Sequence, residues 1–265
     1  MNRITTLFER KKKNLLSIYF TAGFPALADT ELVLEALQKN GADIIEIGIP
    51  YSDPLADGPV IQHSSMQALS NGISIKKIFE QIRNMHEHGR RKESVPYILM
   101  GYLNPVMQYG LEKFVEEAKN SGIDGLILPD LPIDEFDENY RDIFEKNNLK
   151  CIFLVTPETA EARIRQIDAL SSGFIYAVSS SAITGSDTDF SRQESYFKRL
   201  EKMSLLNPIM IGFGIRDAAT FNAACKYAAG AIIGTAYIKA IETSIDLEAD
   251  TAGFLNAILK AGMTG

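Results

Sequence analysis

Short apolar runs recur along the chain, separated by longer stretches in which apolar positions return every three or four residues. The runs are "LLSIYF" (15–20), "DIIEIGI" (43–49), "YILMGY" (97–102), "GLILPD" (125–130), "KCIFLV" (150–155), "FIYAVS" (174–179), "PIMIGFG" (208–214) and "GAIIGT" (230–235). Their length and β-rich composition predict eight strands. The stretches between them predict helices with legible ends. Asp29 is expected to cap "TELVLEALQKN", which Gly41 stops, and "LEKFVEEAKNSG" (111–122) keeps its period up to a glycine. Asp217 is expected to cap "AATFNAACKYAAG".

Most strands start 22–34 residues after the one before, which is the size of a βα unit. The exception is a 54-residue gap after the second strand, with room for two helical segments. Eight βα units without a compositional break predict an α/β fold, a (β/α)8 TIM barrel forming a single domain over 1–265. It carries an additional short N-terminal helix and the extra helical segments after strand two. A doubly wound sheet is the alternative, but "GFGIRD" (212–217) lacks the third glycine of a dinucleotide loop.

Composition narrows the function. Hydrophobic residues at 46% and charged residues at 23% fit a globular chain rather than a disordered one. A net charge of −7 argues against nucleic acid, so any anionic ligand must be held by local donors. Cys151 and Cys225 have no metal or redox spacing, which favours a reducing, cytoplasmic setting. His63, His86 and His88 lie in polar helical stretches, and no metal site is expected. "KKKNLLSIYFTAGFPALA" (11–28) has the outline of a signal peptide, but Ser17, Tyr19, Thr21, Gly23 and Pro25 break its apolar part. A strand is the better reading there, and no apolar run reaches the ~18 residues of a membrane span.

In a barrel the chemistry sits at the C-terminal strand ends. The sequence places Thr21, Glu46, Asp57, Tyr102, Asn104, Asp130, Thr156 and Tyr176 at such ends, and no lysine, so a Schiff-base mechanism lacks its nucleophile. Carboxylate acid–base work remains. Glycines at Gly212–Gly214 and Gly234 suggest a backbone cradle for phosphate, the alternative being tight turns. "SSSAITGSDTDFSRQES" (179–195) is expected to be a lid. Glu46 shares a strand face with Ile44 and Gly48. Near the top of the barrel interior its pKa should rise by desolvation. The alternative is a structural carboxylate with a buried polar partner. Asp57, in "ADGP", is also ordinary turn chemistry.

The segment "IEIGIPYSDPLADGPVIQ" (45–62) closely resembles the signature of the tryptophan synthase α-subunit family. The match runs through "FTAGFP" (20–25), "LMGYLNPV" (99–106) and "LILPDLP" (126–132) to "GFGI" and "GTA", nearly the whole chain. The resemblance implies cleavage of indole-3-glycerol phosphate to indole and glyceraldehyde 3-phosphate. Glu46 then matches the general acid–base, and Asp57 the carboxylate that stabilises positive charge on the indole nitrogen. Tyr19, Leu99, Ile127, Leu154 and Phe213 would line the indole pocket, with Thr21 and Tyr176 near the substrate. Gly185, Gly214, Gly234 and Thr235 would meet the phosphate. Asp53, Pro54, Asn104 and Pro132 would lie near a pyridoxal-phosphate-dependent β subunit in an α2β2 heterotetramer, and no cofactor is implied for this chain itself. Ordinary core packing and turn formation are the competing readings for the lining and interface positions. The chain departs from the family at Ser180, Ala182 and Phe24, which bears on lid closure and leaves Glu46 and Asp57 untouched.

Overall fold

The structure is a computed structural model that describes residues 1–54, 56–179, 190–212 and 214–260. Nine strands form one parallel sheet: β1 (Leu15–Thr21), β2 (Ile44–Gly48), β3 (Tyr97–Met100), β4 (Gly125–Ile127), β5 (Lys150–Ile152), β6 (Leu154–Val155), β7 (Ile175–Val178), β8 (Ile209–Gly212) and β9 (Gly230–Ile233). Their order is β5-β4-β3-β2-β1-β9-β8-β7-β6. The two outermost strands are halves of one sequence run, "KCIFLV", interrupted at Phe153. Its first half pairs with β4 and its second with β7, and the Phe153 carbonyl accepts from Tyr176 N at 3.0 Å. The sheet therefore closes on itself as the eight-stranded barrel the sequence predicts.

The helices are α1 (Arg3–Arg10), α2 (Asp29–Asn40), α3 (Pro59–Ser70), α4 (Ile75–Glu87), α5 (Leu103–Tyr109), α6 (Leu111–Asn120) and α7 (Ile133–Glu135). A π turn at Phe136–Tyr140 leads from α7 into α8 (Arg141–Lys146). Then come α9 (Glu161–Leu170), α10 (Phe190–Lys202), α11 (Ala218–Tyr227), α12 (Thr235–Ile241) and α13 (Leu247–Lys260). The long gap after β2 holds α3 and α4, as expected. Asp217 caps α11 in a reciprocal box with Thr220. Asp29 does not cap α2: it is the first helical residue, and its carboxylate accepts from Ala26 N at 2.9 Å. Gly41 ends that helix at φ 103°, a conformation that favours glycine. The expected lid span of 179–195 is too long, since α10 already begins at Phe190. Its buried Tyr196, Phe197 and Leu200 mark a helical stripe that a window ending at 195 cannot reveal.

Strand alternation divides the core in two. Leu16, Ile18, Ile45, Ile47, Leu99 and Leu126 pack outward with the helices. Leu15, Ile44, Ile98, Ile127, Ile152 and Met210 pack inward, where Ile4, Leu7 and Phe8 of α1 join them. Helix α1 thus plugs the N-terminal end of the barrel. Gly125 and Gly173 make room for it, since an added Cβ would meet Ile4 at 3.0 and 3.1 Å. Asn2 caps α1 through Ile4 N and donates to the carbonyls of Asp124 and Asn148, both at 2.8 Å. Asp124 accepts from the backbone of Tyr97 and Arg3 and from the Arg3 guanidinium. The buried Arg91 lies at 3.4 Å from the same carboxylate and stacks 3.7 Å from the centre of the Tyr97 ring.

Candidate active site

At the opposite end the interior is polar. Glu46 points inward from β2, in register with Tyr19 of β1 and Ile98 of β3, and is fully buried. Ser17 Oγ donates to its Oε1 at 2.7 Å, while Oε2 has no partner. Desolvation pushes the Glu46 pKa up to about 7, and the Ser17 bond opposes that rise only in part. Such a carboxyl is present in both protonation states near neutral pH.

Asp57 lies in the turn between β2 and α3, with its N–H on the Pro54 carbonyl and its own carbonyl accepting from Gln62 Nε2 at 2.8 Å. The turn is therefore real, and it does not exhaust the role of the residue. Burial pushes the Asp57 pKa up to about 6, against a hydrogen bond from the Tyr102 hydroxyl. Tyr102 also accepts from Ala56 N at 3.0 Å and so fixes the loop that carries Asp57.

Two tyrosines complete the cluster. Burial raises the Tyr19 pKa, with Asp57 the largest charge acting on it, and Thr21 opposes the rise with a hydrogen bond. Tyr176 is raised by burial and then by Glu46, Tyr19 and Asp57. Both carboxyl groups thus act on both phenols, which stay protonated at neutral pH. Glycines create their space. A Cβ on Gly48 would lie 2.3 Å from the Tyr19 hydroxyl, and one on Gly212 would lie 2.2 Å from that of Tyr176. Gly212 thus serves the tyrosine. Thr21 Oγ1 lies 2.7 Å from Ser64 Oγ of α3, tying β1 to that helix.

Ile127 and Leu154 belong to the inward-facing cluster. Leu99 does not. It pairs with Ile47 and packs against the helix layer, so the inner positions of β3 belong to Ile98 and Met100. One step along a strand exchanges its faces, which corrects the assignment of Leu99 as a lining residue. Gly234 stands at the start of α12 beside the Tyr19 ring, Thr235 is the first residue of that helix, and Gly214 has φ 72°. Phe24 is fully buried in the helix-side core. Phe213 and Gly185 lie outside the described residues, as do Ser180 and Ala182.

Around the mouth, the loops after β2, β3 and β4 are tied together. Asn104 donates to the Tyr51 hydroxyl at 3.1 Å, the Tyr51 and Tyr102 rings lie 5.3 Å apart, and Leu103 N donates to Asp130. Asp53, Asn104 and Pro132 are exposed there and Pro54 is partly so. Sequence reasoning missed Ser17 as a member of the site and gave Tyr102 no specific role. Tyr102 was visible as a strand-end tyrosine, and Ser17 gave no signal beyond being polar in an apolar strand.

Among the described residues no group of His, Cys, Asp and Glu could hold a metal ion, and no helix is long and apolar enough to cross a membrane. Fold and site define a (β/α)8 barrel with paired carboxyl groups and phenols at its mouth. The family model for the tryptophan synthase alpha chain matches residues 5–262. The tryptophan synthase alpha chain of Bacteroides thetaiotaomicron is 52% identical over 94% of this chain and 96% of its own. That of Parabacteroides distasonis is 49% identical over 98% and 99%. The crystal structure of the alpha chain from Legionella pneumophila superimposes with a TM-score of 0.88, at 33% identity, covering 98% of this chain and 97% of its own. The chain belongs to the tryptophan synthase alpha chain family, a family of lyases.

Proposed function

We propose that the chain cleaves indole-3-glycerol phosphate into indole and glyceraldehyde 3-phosphate, with Glu46 moving the proton and Asp57 balancing the charge. The observation that carries this reading is Glu46 itself, a fully buried carboxyl with one oxygen unpartnered and a pKa near 7. A retro-aldol step on an indole needs such a group. Neutral Glu46 gives its proton to indole C3, and the cation that forms is stabilised at the ring N–H by charged Asp57. The Glu46 carboxylate then takes the proton of the hydroxyl on the adjoining glycerol carbon. As the C–C bond breaks, its electron pair returns to the ring and the O–H pair becomes the aldehyde C=O. Glu46 ends as it began, which is what catalysis requires.

Ile127, Leu154 and Met100 offer the indole an apolar wall, and Tyr176 and Tyr19, which is in register with Glu46, offer it aromatic faces. Backbone N–H groups at Gly214, Gly234 and Thr235 suit the phosphate, and they bring no lysine into an acidic protein. Indole then passes to a β subunit that carries pyridoxal phosphate, docked on the loops bearing Asp53, Pro54, Asn104 and Pro132. Two unpaired, buried cysteines fit a cytoplasmic setting.

The test is indole release from indole-3-glycerol phosphate by the purified chain, with and without a cognate β subunit. Slow release that rises steeply with the β subunit is expected. Fast release from the chain alone would indicate a self-sufficient lyase, and no release in either condition would overturn the reading.

A further inference from the structure

Ser17 lies on the inner face of β1, two residues before Tyr19 and paired with Ile44. Its neighbours on that face are apolar, Leu15 below it and Ile44 beside it, and it is itself fully buried. A hydroxyl there costs free energy unless it is hydrogen-bonded. Its bond is to Glu46 Oε1, at 2.7 Å. The structure assigns Ser17 as the positioning residue of the acid–base group: it occupies Oε1 from the floor of the cavity and leaves Oε2 as the oxygen that carries the proton. This assignment rests on the reading of Glu46 given above and extends it to a residue behind the carboxyl.

The chemistry suits both halves of the cycle. A serine O–H can donate to Oε1 whether Oε2 is protonated or charged, so the bond need not break when the proton leaves. Donation is stronger to the charged form, because charge-assisted hydrogen bonds are roughly twice as strong as neutral ones. Ser17 therefore makes Glu46 a better acid while holding it in one orientation. The other titratable groups that act with Glu46 are Tyr19 on β1 and Tyr176 on β7, and Asp57 after β2 acts on the same two phenols. The interior residues Ile98, Met100, Ile127, Leu154 and Ile232 of β3, β4, β6 and β9 are apolar. None of these can replace the donor.

The experiment compares wild type with Ser17→Ala, Ser17→Cys and Glu46→Gln, reading kcat and KM for indole release as a function of pH. Removing the hydroxyl should lower kcat by about tenfold, the scale of one lost hydrogen bond to a charged group, and leave KM nearly unchanged. The alkaline limb of the profile should move toward higher pH. The thiol of Ser17→Cys, a weak donor, should give an intermediate profile. An infrared titration of the carboxyl stretch, assigned by its loss in Glu46→Gln, reads the same group in folded protein even if turnover is lost. A Ser17→Ala variant whose limb and carboxyl titration match wild type would overturn the assignment. Retained turnover in Glu46→Gln would instead overturn the reading of Glu46 itself.

Discussion

The two ends of the barrel each bury a carboxylate, and they treat it in opposite ways. At the N-terminal end Asp124 is surrounded by donors: two backbone N–H groups, the Arg3 guanidinium and the buried Arg91. These bonds hold the plug helix α1 in place. At the C-terminal end Glu46 is just as deeply buried and receives one serine hydroxyl on one oxygen. A carboxylate whose oxygens are all engaged by donors ties elements together and builds structure. One left short of donors sits near its titration point and can exchange a proton. The number of partners, rather than burial, separates the architectural acid from the chemical one.

The largest effect that should follow from this contrast is on turnover. Glu46→Gln keeps the shape and removes the exchangeable proton, so indole release should fall by roughly 10²–10⁴-fold. Asp124→Asn, at the other end, should leave kcat for the folded enzyme nearly unchanged, and steady-state assays on both variants check the pair. Stability should move the other way. Asp124→Ala leaves Arg91 buried without its anion and should cost about 3–5 kcal/mol in urea unfolding.

A smaller effect sharpens the comparison from the Glu46 side. Its folded pKa, about 7, lies above the 4.5 of an unperturbed glutamate. The folded state therefore favours the proton, and the full stability is present below about pH 4.5 and is lost as pH rises through about 7. Glu46→Gln should thus be more stable than wild type at pH 8, by up to about 3 kcal/mol less the cost of burying the amide. The gain should vanish at low pH. Urea unfolding at the two pH values measures it.

Much of this was legible in the sequence, and the rest was hidden for physical reasons. Eight apolar runs at βα spacing gave the barrel, and a lone glutamate among isoleucines stood out because burial of a charge is costly. The phase of a four-residue strand is harder to read. Nothing in "YILMGY" says whether Leu99 or Met100 faces inward until its register with Ile47 and Gly48 is known. Ser17 was hidden for the same reason, since the group it serves is distant in sequence and meets it only across strands. Gly212 looked like a turn or ligand glycine and, like Gly48, proved to be space for a phenol hydroxyl. The plug role of α1 depends on glycines at 125 and 173, which no local pattern connects to Ile4.

The most direct test of the account is the pH dependence of kcat/KM for indole release by the wild-type chain, measured beside Glu46→Gln. The chemistry requires Asp57 charged and Glu46 protonated. Activity should fall below about pH 6 as Asp57 is neutralised, and fall again above about pH 7 as Glu46 loses its proton. Glu46→Gln should keep only residual turnover with no alkaline limb. Wild-type turnover in that variant, or a wild-type profile with no alkaline limb, would contradict the claim that Glu46 carries the proton.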